Sequence, residues 1–272
     1  AVGVAFLLEV AVNRSLRVAG WYGDHRSEPD LMQWLDLVAL GTVCDMVPLT
    51  GLNRALVVQG LKVMAQRSNR GLAALADIAR LSEPPGTFHA GFLFGPRVNA
   101  GGRIGASDLG TRLLSTDDAA EAGMLAERLD LLNAERRAIE AAVLDQALRQ
   151  VDALGELPPL LLLAGEGWHP GVIGIVASRV LERTHRPVLV VGLDGDVGKG
   201  SGRSIRGVDL GSAVIAARQA GLLINGGGHP MAAGLTVARD RLPALRAFLE
   251  QRVDEALGGV GPPPGIGIES PL

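Results

Sequence analysis

Long apolar runs are missing from this 272-residue sequence, and with them the simplest route into a membrane. No stretch approaches the roughly 20 residues that span a bilayer. Cysteine is almost missing too: Cys44 is the only one, which excludes a disulfide framework and fits a reducing cytoplasm. There is no basic excess, because the formal net charge is -3, so any contact with nucleic acid must come from local placement of charge. Aromatic residues make up 3% of the chain, which leaves little material for extended base stacking. The first residues, Ala1 to Val12, are apolar but carry no basic segment, which argues against a signal peptide. An initiator methionine is absent as well, as it would be in a piece of a longer protein. No internal repeat is visible.

What is present is enough apolar material, 47% of the residues, for one large core or two modest ones. Asp30 to Val38 reads as a helix, Val38 to Val43 as a buried strand running into Cys44-Asp45, and Asn53 to Gln66 as a second helix. Thr116-Asp117-Asp118 supplies an N-cap and early acids for a long helical stretch, with a break near Asn133. Its charged residues are mostly acidic, which suggests a solvated connector. Beyond Pro158-Pro159 the pattern changes. Strands are expected at 160–164, 187–193, 197–206 and 232–238, with helices at 171–184, 210–219 and 239–257. Strands alternating with helices imply an α/β fold, read here as two α/β domains joined by a long helix. The parts are 1–115, a connecting helix 116–153, a second domain 154–257 and a flexible, glycine- and proline-rich tail 258–272.

Several short segments carry chemistry. Ile224-Asn225-Gly226-Gly227-Gly228-His229 places three glycines in a row beside a histidine, either a concavity of backbone N–H groups suited to an anion or simply a tight loop. In Gly200-Ser201-Gly202-Arg203-Ser204 a hydroxyl and a guanidinium can hold phosphate through charge-assisted hydrogen bonds; the plainer alternative is a polar strand end. Gly167-Trp168-His169-Pro170-Gly171 is a third glycine-framed polar site. Asp45 follows an apolar run and is either a ligand for a hard divalent cation or a cap for the next turn. Gly95-Pro96-Arg97-Val98-Asn99-Ala100-Gly101-Gly102-Arg103 reads as a glycine-rich loop with two arginines, an asparagine and no acid close in sequence, which suggests a phosphate partner. Asp194-Gly195-Asp196 reads as a hairpin turn between two strands.

Taken in order, the Asp45 segment, the Arg97–Arg103 segment, Gly167 to Arg179, Lys199 to Ser204 and Gly227 to Gly234 resemble the RecJ family of single-stranded-DNA-specific 5′→3′ exonucleases. These belong to the DHH phosphoesterase superfamily, and the likeness covers roughly residues 1 to 257. It implies the C-terminal part of a DHH domain, a long helix and a DHHA1 domain, with DNA between the domains. It also implies hydrolysis by two divalent metals, manganese or magnesium, in DNA repair and recombination. By resemblance Asp45 is a metal ligand, and Arg103, Ser201, Gly202 and Arg203 form the pocket for the 5′ phosphate. Arg97, Asn99, His169, Gly227, Gly228 and His229 line the substrate cleft. Implied partners are single-stranded DNA, a single-stranded-DNA-binding protein and a RecQ-type helicase, in the cytoplasm and away from membranes.

The sequence also departs from the family. Its Asp-x-Asp pair and Asp-His-His triplet, which should precede Val2, are absent, and so is the OB-fold domain that usually follows. An internal fragment with little activity of its own is therefore expected. Two other readings stay open: a DHH-family oligoribonuclease or cyclic-dinucleotide phosphodiesterase, and a non-catalytic fragment that binds single-stranded DNA.

Overall fold

Glycines decide how closely the elements of this chain approach one another. The computed structural model describes residues 2–258, and the chain divides into two compact units, 1–135 and 136–272. The tail expected to be flexible lies, apart from Gly258, outside the described residues.

The described part of the first unit is helical. It contains α1 (Val2–Val18), a 3-10 turn (Leu31–Trp34), α2 (Leu35–Cys44), α3 (Gly51–Ala65) and α4 (Arg70–Ile78). A π-helical turn (His89–Phe94), α5 (Gly95–Ile104) and α6 (Leu109–Ser115) follow. Two sequence-based expectations are corrected here. Residues 38–43 belong to α2 rather than to a strand. A short apolar run bordered by neither turn residues nor strict alternation fits a buried helix equally well, and here it lies between helices. The stretch 95–104 is a helix, not a loop. Its glycines serve contact: a Cβ on Gly95 would lie 2.5 Å from Cys44 Sγ, and one on Gly101 2.7 Å from the Ala106 carbonyl. Likewise a Cβ on Gly60 of α3 would lie 2.1 Å from the Leu35 carbonyl oxygen, so α2 and α3 cross almost backbone to backbone. Leu40, Leu72, Leu75, Phe94, Leu113 and Leu129 fill the core around these crossings.

The long helix α7 (Ala119–Asp152) runs unbroken through Asn133. Asp118 caps it, with Oδ1 accepting from Ala120 N at 2.7 Å. It is not merely a solvated connector. Ala122, Leu125, Leu129 and Leu132 are buried in the first unit's core, and Val143, Ala147 and Val151 in a core of the second. Its acids occupy the remaining faces, and one of them, Glu140, pairs with Arg136 on an interior stretch.

The second unit is a five-stranded sheet in the order β1-β2-β3-β5-β4, built from β1 (Leu161–Glu166), β2 (Val188–Asp194), β3 (Val197–Arg203), β4 (Asn225–His229) and β5 (Ala232–Ala238). β1 and β2 are parallel, joined through α8 (Pro170–Thr184), and the other pairings are antiparallel. The mixed α/β character expected of the chain resides in this unit. Val188 to Leu193 are all buried, as a strand covered on both faces requires. One sheet face packs on α9 (Leu210–Gln219) and α10 (Leu242–Leu257) through Leu189, Val191, Leu235, Val237, Val214 and Leu245. On the other face α8 and the second half of α7 cover Leu161, Leu163, Val188 and Val190. Asp194-Gly195-Asp196 is a hairpin turn as expected, with Gly195 at φ 56. β4, by contrast, is a strand where the sequence suggested an anion nest or loop. The outer edge of β1 is occupied by side chains: Gln150 bonds both the N–H and the C=O of Ala164, and Arg246 donates to the Leu162 carbonyl.

Gly60→Ala should destabilise the chain by about 1–3 kcal/mol, because the new methyl has no room between α2 and α3. A Cβ on Gly123 of α7 meets nothing within 4 Å, so Gly123→Ala should instead stabilise by about 0.5–1 kcal/mol. Denaturant unfolding of both variants checks the contrast, and equal effects would contradict the close crossing.

Candidate nucleic-acid interface

In the first unit the site residues cluster on α2 and α5. Asp45 follows the last turn of α2, exposed, and its carboxylate makes no hydrogen bond or ion pair among the described residues. The reading in which Asp45 caps the next turn thus has no hydrogen bond behind it. A carboxylate at the negative end of a helix is unfavourably placed unless a cation joins it. Cys44 beside it is a half-buried thiol donating to the Ala90 carbonyl at 3.4 Å, its pKa pushed up by burial and then by Asp45. Contact between Gly95 and Cys44 brings the start of α5 to this end of α2.

Arg97 is not the unpaired cation that the sequence suggested. Its Nε donates to Asp130 Oδ1 at 2.8 Å and its Nη1 to the Leu93 carbonyl at 2.9 Å, and its side chain is 16% exposed. The acid comes from 33 residues away on α7, beyond the reach of local sequence inspection. Asn99 and Arg103 are exposed on α5 at i and i+4, so they share one helix face.

In the second unit the glycines and the polar residues of β3 divide between its faces. A Cβ on Gly198, Gly200 or Gly202 would come within 2.6–2.7 Å of Val191, Leu235 or Leu210, respectively, so these glycines let the strand lie flat on its apolar floor. Gly202 therefore faces away from the polar row, and its carbonyl accepts from Arg203 at 2.8 Å. Lys199, Ser201 and Arg203 point the other way. Arg203 Nη1 donates to Ser201 Oγ at 3.2 Å, and the guanidinium has no carboxylate partner among the described residues. Half-burial pulls its pKa below the usual arginine value, the mark of a charge that has lost water without gaining a counter-ion. Helix α8 makes room for the pair at Gly174, where a Cβ would sit 3.0 Å from Ser201 Oγ and 3.1 Å from Arg203 Nη2.

The register carries this face across two more strands. Ser201, Gly234 and Gly227 form one row, and Arg203, Ala232 and His229 the next. With strands about 4.8 Å apart, exposed His229 lies roughly 10 Å from Arg203 along its row. Gly227 and Gly234 have ordinary φ values and open space where a side chain would be, so nothing within the unit requires them to be glycine. Gly228 differs: a Cβ there would meet the Ala232 carbonyl at 2.4 Å, so it is bare for close packing against β5. His169 caps α8, its Nδ1 accepting from Gly171 N at 3.0 Å. Ser201, Arg203 and His229 thus share one sheet face. Asp45, Asn99 and Arg103 belong to the other unit.

A DHHA1 domain model matches residues 157–255. Along nearly its whole length the chain is RecJ-like. The single-stranded-DNA-specific exonuclease RecJ of Dickeya dadantii is 42% identical over 266 residues, which cover 94% of this chain and 46% of that protein. The chain thus spans about half the length of this curated relative. A crystal structure of exonuclease RecJ bound to manganese superposes with a TM-score of 0.78 at 37% identity, covering 95% of this chain and 62% of that one. RecJ from Thermus thermophilus in complex with magnesium gives 0.75 at 37% identity, covering 85% and 35%. Among the described residues no helix is long and apolar enough to cross a membrane.

Sequence inspection gave no reason to single out Asp36. It is 1% exposed in α2, and burial raises its carboxyl pKa, offset in part by the N–H groups of Leu37 and Asp36 itself. With the folded-state pKa raised, its contribution to stability is fully present below the unfolded value of 3.8 and is lost as pH rises through the folded value. Asp36→Asn should therefore be more stable than the parent chain at pH 7 and close to it at pH 3. Thermal melts at the two pH values check this, and a variant equally destabilised at both would refute it.

Proposed function

We propose that this chain is part of a single-stranded-DNA-specific 5′→3′ exonuclease and supplies the grip on the 5′-terminal phosphate. The observation that carries this reading is the half-buried guanidinium of Arg203, bonded to Ser201 and lacking an acidic partner among the described residues. Phosphate offers the charge and the geometry to satisfy such a fork. Holding the end phosphate at a set place is what makes a nuclease depend on a strand end. The bare backbone at Gly227 and Gly234 then lets the strand lie close to the sheet, with His229 as a further donor. Asn99 and Arg103 are proposed to contact phosphates of the same substrate from the first unit, while Arg97 acts by holding α5 to α7.

Divalent manganese or magnesium is the proposed cofactor of the complete centre. Asp45 fits one ligand position, since its carboxylate is exposed and uncommitted. Such a cation takes six or more ligands, and among the described residues no group of three His, Cys, Asp or Glu side chains could hold one. The hydrolytic centre therefore depends on ligands other than these. A location in the cytoplasm and partnership with a single-stranded-DNA-binding protein and a RecQ-type helicase are proposed on the resemblance alone.

On 5′-phosphorylated single-stranded DNA with excess manganese, the 272-residue chain should bind but turn over little. Arg203→Ala should weaken binding of a 5′-phosphorylated strand by about tenfold or more and that of a 5′-hydroxyl strand much less. Equal losses on both strands would replace end recognition with a general backbone contact. Brisk hydrolysis by the chain alone would overturn the account of its ligands. Preferential binding of dinucleotides over long strands would favour a small-nucleotide phosphodiesterase.

A further inference from the structure

Lys199 stands in the same row as Ser201 and Arg203, one pleat repeat beyond Ser201 on the sheet face that α8 covers. Two residues of strand separate successive members of the row by about 6.5–6.8 Å. Lys199 opens into a cavity of about 400 Å³, lined also by Glu166, His169, Gly192, Asp194 and Val197. It makes no ion pair among the described residues. Glu166 is already held by Arg239, which keeps its carboxyl below the usual range. Asp194 is exposed and lines the same cavity, and it forms no ion pair with Lys199 among the described residues.

The nature of the cavity wall narrows the ligand. Trp168 also borders it but is 3% exposed, its ring pressed against Gly165 and its Nε1 donated to Gln146. It leaves no aromatic face on which a base could stack. The first N–H of α8 is committed to His169 Nδ1, so attraction for an anion rests on Lys199. Composition adds an independent sign. The chain has two lysines, Lys62 and Lys199, and the rest of its 26 basic residues are arginine. An ammonium is a compact point charge that meets a single phosphate oxygen, where a guanidinium demands a planar partner and more room.

We propose that Lys199 and this cavity form a second phosphate subsite, in register with Ser201–Arg203, which takes an internal backbone phosphate of the same strand. The proposal rests on the reading of Ser201–Arg203 as an end-phosphate site but makes a separate claim. Lys199 acts on every strand and is indifferent to the state of the 5′ end.

The test is equilibrium binding of the full chain to 5′-phosphorylated and 5′-hydroxyl single strands across a salt series, by fluorescence anisotropy. Lys199→Gln should weaken both strands by the same factor and reduce the slope of log K against log salt by about 0.7, the value for one lost phosphate contact on a single strand. Lys199→Arg should keep the slope, and Asp194→Asn should tighten both strands. An unchanged slope for Lys199→Gln would overturn the subsite. So would a loss confined to the phosphorylated strand, which would place Lys199 in the end pocket. If Arg203→Ala fails to discriminate between the strands while Lys199→Gln lowers the slope, end recognition falls and the subsite stands. Absence of binding to either strand overturns both.

Discussion

Contact between the bare backbone of β3 and its apolar floor governs what the second unit can present to a ligand. Because Gly198, Gly200 and Gly202 carry no side chains, Val191, Leu235 and Leu210 reach the strand itself. Every polar side chain of the strand is thereby directed to the opposite face. The β3 glycines that first suggest a phosphate loop thus serve packing: they create the platform from which the polar side chains project. The proposed contact comes from Ser201 and Arg203, whose half-burial beside Gly174 removes water from a charge that has no acidic partner among the described residues. An unpaired, partly dehydrated cation is costly within a protein. An arriving anion would offset that cost, which is how the proposed phosphate grip would draw on the packing of the core.

The same logic applies at Asp45 with the opposite sign. There the backbone of α2 ends, Met46 turns into the left-handed region, and a carboxylate stands exposed at the negative end of the helix. Among the described residues, Asp45 in the first unit is thus an anion without a partner, and Arg203 in the second a partly dehydrated cation without an acid. A hydrolytic site for a phosphodiester needs charge of both kinds, since the substrate's own charge must be gripped and metal ions must be held.

Much of the second unit was legible in the sequence because its strands and helices alternate and its turns carry their usual residues. β5 and α9 fall where the pattern puts them, and Asp194-Gly195-Asp196 turns as such a triplet should. β4 was not legible, since Asn225-Gly226-Gly227-Gly228-His229 has no apolar alternation and becomes a strand through its pairing with β5. In the first unit the run Val38 to Val43 has the composition of a strand, and only the surrounding helices decide otherwise. Among the site residues, Ser201 with Arg203 could be read from adjacency. The pairing of Arg97 could not, because Asp130 is brought to it by tertiary packing. The burial of Asp36 is equally a property of the assembled core.

The sealed edge of β1 bears on how this sheet behaves in the company of other chains. An exposed parallel edge strand of buried composition, Leu161-Leu162-Leu163-Ala164, is a template for adding a foreign strand. Gln150 answers the Ala164 N–H and C=O with one side-chain amide, and Arg246 takes the Leu162 carbonyl. Two side chains from helices thus imitate the pairing of a sixth strand without supplying one. Resistance of this edge to a foreign strand is then guarded by two side chains, the Gln150 amide on α7 and the Arg246 guanidinium on α10.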